Sequence, residues 1–166
     1  MNRPHYQVMC TWGLSGAQRL NVNPDVVIWV NALSQSAPLP LQLDSFPGDS
    51  KVLVGSYFDA FAVADWVANY QLEQQRRVIV LIICSDAETH NVADELAAGA
   101  IIERLAQQGL DAMSPEAAVA NAAFSQLRHA AAHLIAASEQ AQKLTLRDDE
   151  LVLNESLTSA DVRVLR

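Results

Sequence analysis

The chain has 166 residues, of which 51% are hydrophobic and 18% are charged, which argues against a disordered chain and predicts one compact domain. Its formal net charge of −8 repels the phosphate backbone of a nucleic acid, so we expect no nucleic-acid partner. No apolar run approaches the roughly 18–20 residues that cross a bilayer, and the N-terminus lacks the zones of a signal peptide. We therefore expect a cytoplasmic protein without a membrane partner.

The N-terminal part of the chain predicts two strands followed by a loop. Residues 5–11 mix apolar and polar side chains, as a half-buried strand does. Val26–Val30 is continuously apolar and rich in branched residues, which is typical of a strand covered on both faces. Residues 34–50 contain three prolines and no regular periodicity, so we expect a loop there.

The central part predicts a strand, a helix and a second strand. A short strand is expected at residues 52–54. Ser56 is predicted to cap a helix that runs to about residue 75, with Asp59 completing a pair that resembles a capping box. Residues 78–84 (VIVLIIC) form the strongest strand pattern in the chain, and their branched side chains suit the centre of a parallel sheet.

The C-terminal part predicts two helices and a short closing region. Asn91 is expected to cap a helix that Gly109 ends. Ser114, followed by a proline and a glutamate, is predicted to begin an alanine-rich helix that runs to about residue 137. A strand at residues 151–153 and a closing segment at residues 161–165 complete the prediction.

The alternation of strands and helices predicts the fold class. We expect a single α/β domain over residues 1–166, with a mostly parallel sheet flanked by helices. Cys10 and Cys84 each lie in an apolar segment with the pattern of a strand. We interpret both as buried free thiols and not as a disulfide.

Three loops are candidates for a functional site because ligands bind beyond the carboxyl ends of the strands in open α/β sheets. They are residues 31–36, 56–59 and 85–91. The third concentrates acids and a histidine and is followed by Asp94 and Glu95, which makes it the best candidate for a hard cation. The alternative is that these acids only complement the helix dipole, and their spacing alone favours that alternative.

Two other patterns are given structural interpretations. His129 and His133 are four residues apart on a predicted helix, but the sequence lacks the glutamate of a zincin motif. We therefore expect surface or interface histidines and not a metal site. Arg76 and Arg77 are interpreted as solvated residues in a turn from helix to strand.

Three stretches of the chain resemble one known family. Residues 6–20 contain WGLSGAQRL, residues 25–36 read DVVIWVNALSQS, and residues 52–105 contain VLVGSYFDAFAVADWV and VADELAAGAIIERL. Together they are similar to the 2-phosphosulfolactate phosphatase family. The resemblance implies an α/β enzyme of coenzyme M biosynthesis that uses Mg²⁺ to hydrolyse a small phosphorylated acid.

The resemblance also implies a set of site residues. Asp94 and Asp59 would be catalytic and would hold Mg²⁺, and Asn31 would orient the ion. Ser56, together with backbone amides, would receive the phosphate. The full set of implied substrate-binding residues is Ser34, Ser36, Ser56 and Asp86.

The chain departs from the family pattern at several of these positions. An acid of the family falls on Asn31, the glutamate of its Glu-Asp pair falls on Ala93, and an asparagine falls on Asp59. The family's long middle section, with its Gly-Asn and Thr-Thr-Asn-Gly-Thr elements, is replaced by a short loop around residues 37–50. Because hard cations prefer charged oxygen ligands, these losses weaken Mg²⁺ binding. We therefore expect phosphatase activity that is reduced or lost.

A non-catalytic role is the alternative. In that interpretation the chain is an interaction or ligand-binding module. The alanine-rich helix at residues 114–137 would then pack against a second copy of the chain and form a homodimer.

Overall fold

The structure is a computed structural model that describes residues 5–33, 43–85, 90–145 and 162–166. Within these residues, five strands form one sheet: β1 (Val8–Trp12), β2 (Val26–Val30), β3 (Lys51–Gly55), β4 (Val80–Cys84) and β5 (Arg163–Val164). Their spatial order is β1-β4-β2-β3-β5. The first four strands are parallel, and β5 runs antiparallel to β3. The predicted α/β fold with a mostly parallel sheet is confirmed.

The two most apolar strands occupy the interior of the sheet. All five residues of β2 and all five of β4 are buried, as expected for strands with neighbours on both sides and cover on both faces. β4 begins two residues later than predicted because the preceding N–H groups bond elsewhere. The N–H of Val78 donates to Gln71 Oε1 at 3.2 Å, and that of Ile79 donates to Asp25 Oδ2 at 2.7 Å.

Helices cover both faces of the sheet. The described helices are α1 (Gly13–Leu20), α2 (Ala60–Gln74), α3 (Val92–Gln107), α4 (Pro115–Leu127), α5 (Ala131–Ala136) and α6 (Glu139–Thr145). The larger core cluster contains buried residues of α2, α3, α4 and α5, and the smaller one, on the other face, contains Ala17 of α1. No helix in the described ranges combines the length and the apolarity needed to span a bilayer.

The sequence pattern does not predict the helix α1, and the two glycines of this segment explain why the helix is hard to recognise. Gly13 has a positive φ of 61°, a conformation that glycine adopts at little cost. A Cβ at Gly16 would lie 2.2 Å from Thr11 Oγ1, so any larger residue would displace the Thr11 side chain where α1 packs against β1. Two glycines lower the helix propensity of so short a segment, and packing on the sheet overrides that signal.

The ends of α3 are formed as predicted. The Asn91 side chain accepts hydrogen bonds from the N–H groups of Ala93 at 3.0 Å and Asp94 at 3.4 Å. Gly109, with a φ of 89°, follows the last turn. α2, in contrast, begins at Ala60 and not directly after Ser56, because residues 57–59 form a turn.

The prediction of a single helix from residue 114 to residue 137 is correct for its first half and wrong for its second half. Ser114 does cap α4, since its side chain accepts the N–H of Ala117 at 3.3 Å. The helix ends at Leu127, however, and a turn separates it from α5. The turn redirects the chain so that Ala131 and Ile135 are buried in the core that α3 helps to form.

The remaining predictions concern the C-terminal region and the cysteines. The strand predicted at residues 151–153 lies outside the described residues, while β5 falls within the predicted closing segment at residues 161–165. Cys10 and Cys84 are both free and buried, as predicted. A hydrogen bond with Cys10 and then burial raise the pKa of the Cys84 thiol well above its usual value.

The contact between α3 and α4 gives a test of the packing. A Cβ at Gly99 would lie 2.2 Å from the backbone oxygen of Ala120, which cannot move independently of α4. We expect Gly99→Ala to lower the free energy of unfolding by about 1–3 kcal/mol in urea denaturation, the usual range for overpacking. Gly48→Ala is the control, because nothing lies within 4 Å of its Cβ position. Equal stability of the two variants would contradict the described contact.

Candidate functional site at the carboxyl edge

The carboxyl ends of three parallel strands meet at one surface of the molecule. Residues 31–33 follow β2, residues 56–59 follow β3, and residue 85 follows β4. We call these segments, together with residues 90–95 at the start of α3, the carboxyl edge. The N–H of Asn31 donates to the Gly55 oxygen at 2.9 Å and the N–H of Tyr57 donates to the Ala32 oxygen at 3.1 Å. These bonds join the ends of β2 and β3.

Asp94 connects α3 to two of the strand ends. It lies in the first turn of α3 and is 0% exposed. Its Oδ1 accepts the N–H of Ala32 at 2.8 Å. Its Oδ2 accepts the N–H of Ser85 at 3.2 Å and also the Ser85 hydroxyl. One buried carboxylate therefore accepts three hydrogen bonds from the residues that follow β2 and β4.

Asp59 has a comparable role in the turn between β3 and α2. It is also 0% exposed, and its Oδ1 accepts the Ser56 N–H at 2.6 Å and the Ser56 hydroxyl at 3.1 Å. These bonds close the turn that precedes α2, and they are not the predicted capping box, because α2 begins only at Ala60. Both hydrogen-bond donors of Ser56, the residue expected to receive phosphate, are directed to Asp59.

Asn31 is the most accessible of the three residues predicted to be catalytic. It is half-buried, and its Oδ1 accepts the Leu33 N–H in a long bond of 3.4 Å. The structure therefore places Asn31, Ser56, Asp59 and Asp94 on the carboxyl edge. The predicted substrate-binding residues Ser34, Ser36 and Asp86 lie outside the described residues.

Sequence reasoning did not identify the residues that bind or neighbour Asp94 individually. Ser85 lies in the candidate loop at residues 85–91, but it is not among the predicted site residues, and its bond to Asp94 depends on tertiary structure. Trp12 at the end of β1 lies beside this region because β1 pairs with β4 in the register Trp12–Cys84. Its ring centroid is 6.4 Å from that of His90, and its buried Nε1 has no hydrogen-bond partner in the described part of the chain.

A histidine and a glutamate form an ion pair at the start of α3. His90 Nε2 lies 2.5 Å from Glu95 Oε2, and the His90 side chain is mostly exposed. His90 is the basic residue among the described residues of the carboxyl edge. Its charge, when protonated, is offset by Glu95, so the edge carries no uncompensated positive charge for an anion.

The described residues do not fit a magnesium site as they are arranged. Mg²⁺ requires oxygen ligands in near-octahedral geometry. Asp94 and Asp59 are fully enclosed, and Asp94 accepts internal hydrogen bonds on both of its oxygens. Across residues 5–33, 43–85, 90–145 and 162–166, no group of three or more histidine, cysteine or acidic residues is arranged to hold a metal ion.

The histidine pair that was considered as a second metal site is divided between two elements. His129 lies in the turn after α4, and His133 lies in α5. They are therefore not one helical turn apart on a single helix, as the sequence suggested. Both side chains are exposed, in agreement with their interpretation as surface histidines.

The structural role of Asp94 gives a testable prediction. Asp94→Asn keeps one acceptor oxygen but turns an NH₂ group toward the donors of either Ala32 or Ser85. A buried donor that loses its charged acceptor costs about 2–3 kcal/mol, so we expect a loss of unfolding free energy of that size in urea denaturation. Asp111→Asn is the control because Asp111 is exposed. An Asp94→Asn variant as stable as the control would show that these bonds do not hold the edge together.

Comparison with known protein families gives a match over most of the chain. The model of the 2-phosphosulpholactate phosphatase family matches residues 42–160, which is more than two-thirds of the chain. The match includes Asp59 and Asp94. It begins at residue 42, and therefore does not include Asn31 or the two N-terminal stretches that carry part of the resemblance. None of the curated proteins compared with the chain matches it. The resemblance is confirmed over the matched range, and the chain belongs to the 2-phosphosulpholactate phosphatase family.

Proposed function

We propose that this protein is a 2-phosphosulfolactate phosphatase-like protein whose hydrolytic activity is greatly reduced or lost. One observation carries the proposal. The two carboxylates that the family resemblance assigns to Mg²⁺, Asp94 and Asp59, are both fully buried and hydrogen-bonded within the protein. The carboxyl edge therefore keeps the framework of a phosphatase site while its acids serve the fold.

Metal binding at Asp94 would compete with the bonds that hold the edge together. Asp94 is 0% exposed, so for one of its oxygens to reach an ion at the surface the side chain would have to leave its buried position and its bonds to Ala32 or Ser85. Each buried N–H left without an acceptor costs about 1–3 kcal/mol. Since about 1.4 kcal/mol is a tenfold change in affinity, this competition alone lowers the affinity for Mg²⁺ substantially.

Electrostatics also oppose the binding of a phosphate dianion. The chain carries a net charge of −8, and hydrolysis requires positive charge or donors at the point where negative charge develops. At the described part of the carboxyl edge, His90 is paired with Glu95, and both donors of Ser56 are directed to Asp59. The described basic residue and the described hydroxyl of Ser56 are thus both committed to acids of the protein itself.

We expect little or no Mg²⁺-dependent hydrolysis by the purified protein. The measurements are Mg²⁺ titration by calorimetry and phosphate release from 2-phosphosulfolactate. The predicted result is a rate far below the roughly 1–10³ s⁻¹ that is typical of enzymes. Turnover within that range, together with tight Mg²⁺ binding by the unaltered chain, would contradict the proposal.

A gain-of-function variant makes the test sharper. Asn31→Asp introduces an acid at the most accessible of the site positions. Because a charged ligand oxygen replaces a neutral one, we expect the variant to bind Mg²⁺ at least about tenfold more tightly than the unaltered chain does. Gln126→Glu adds the same charge at an exposed position of α4 and is the control. If both variants change the affinity for Mg²⁺ equally, the change follows from net charge alone. The carboxyl edge would then not be the position of a weakened Mg²⁺ site.

A further inference from the structure

The first turn of α1 follows the carboxyl end of β1 directly and has no cap. The residue before it, Trp12, is the last residue of β1, and its side chain makes no capping hydrogen bond. The first turn also contains no acid. The starts of α3 and α4, in contrast, are capped by Asn91 and Ser114, and each has an acid in its first turn. The partial positive charge at the start of α1 is therefore not offset by a residue of α1 itself.

The backbone of this turn presents hydrogen-bond donors. The first N–H groups of a helix have no partner within the helix. Among the described residues, no group accepts a hydrogen bond from the N–H of Leu14 or of Ser15. Gly13 has a φ of 61°, and a left-handed residue next to right-handed ones is the backbone pattern that directs successive N–H groups toward an anion.

A buried hydroxyl lies against the same turn and also has no partner. Thr11 is 5% exposed, and its side chain makes no hydrogen bond within the described part of the chain. A Cβ at Gly16, the fourth residue of α1, would lie 2.2 Å from Thr11 Oγ1, so this oxygen contacts the first turn directly. Because buried polar groups nearly always have a hydrogen-bond partner, the Thr11 hydroxyl indicates an acceptor that comes from outside the described chain.

The uncharged nature of these donors determines which anion fits. The donors are two backbone N–H groups and one hydroxyl, and the basic residue of α1, Arg19, lies in its last turn. The start of a helix carries about half a positive charge, and the whole chain has a net charge of −8. Such a site favours a ligand with one negative charge over a dianion. A carboxylate has one charge and two acceptor oxygens.

We propose that the first turn of α1, together with the Thr11 hydroxyl, binds the carboxylate group of a small organic acid. The N–H groups of Leu14 and Ser15 and the hydroxyl of Thr11 donate to its oxygens. α1 packs on the smaller core cluster, on the face of the sheet opposite α3. The site is therefore separate from Asp94, and it concerns binding and not hydrolysis, so its failure would leave the function proposed above untouched.

The experiment is a titration of the full-length protein with sodium acetate in exchange for sodium chloride, at constant ionic strength. The backbone amide signals of Leu14, Ser15 and Gly16 are followed in ¹H–¹⁵N spectra, and we expect saturable shifts at these amides. Thr11→Val replaces the hydroxyl by a methyl group of similar size. It should weaken acetate binding about tenfold or more, the usual effect of losing a hydrogen bond to a charged group. Thr11→Ser keeps the hydroxyl and is the matched control.

A second variant tests the site if Thr11→Val does not fold. Ser15 is exposed, and Ser15→Asp places a carboxylate in the first turn, where a negative charge stabilises the helix. This carboxylate competes with the ligand, so we expect acetate binding to weaken about tenfold or more. Gln126→Glu adds the same charge at an exposed position of α4 and controls for net charge.

Four results would overturn the proposal. The first is the absence of saturable shifts with acetate. The second is equal acetate affinity of Thr11→Val and Thr11→Ser, and the third is equal affinity of Ser15→Asp and Gln126→Glu. The fourth is tighter binding of sulfate than of acetate, because a preference for the dianion would contradict a site made of uncharged donors.

Discussion

The buried carboxylate of Asp94 is the interaction on which the carboxyl edge depends. It lies at the positive end of α3, where a negative charge is stabilised, and it accepts hydrogen bonds from the residues that follow two adjacent strands. A charged acceptor in a dry environment binds backbone donors more strongly than a neutral one does. This one side chain therefore connects the start of α3 to the ends of β2 and β4.

The same constraint is the basis for the proposed loss of the family's hydrolytic activity. Both oxygens of Asp94 accept hydrogen bonds from the backbone, and Asp59 stabilises the turn after β3 in a similar way. The resemblance expects acids of the family where this chain has Asn31 and Ala93, and neither of these side chains carries a carboxylate. A carboxylate that is 0% exposed and bonded to the backbone is less available to an ion, since it would have to leave its buried position to reach one at the surface.

The parts of the fold that could be predicted from the sequence are those with strong local signals. Val26–Val30 is recognisable from its run of branched residues, and α3 is recognisable from its cap at Asn91 and its stop at Gly109. The break after Leu127 could not be predicted, because an alanine-rich segment gives no local reason to stop and the turn serves the packing of Ile135. Similarly, the sequence indicates Asp94 as a site residue, but its bonds to Ala32 and Ser85 follow from the strand order β1-β4-β2-β3, which local patterns do not contain.

The dependence of stability on Mg²⁺ tests the central claim most directly, because any ion that binds the folded chain in preference to the unfolded one raises the unfolding temperature. The measurement is the thermal unfolding midpoint of the unaltered chain and of Asp94→Asn, each with and without millimolar Mg²⁺. If Asp94 serves the fold, the substitution lowers the midpoint by the same amount in both conditions, and Mg²⁺ changes neither. An increase with Mg²⁺ in the unaltered chain that is lost in Asp94→Asn would show that this carboxylate holds the ion.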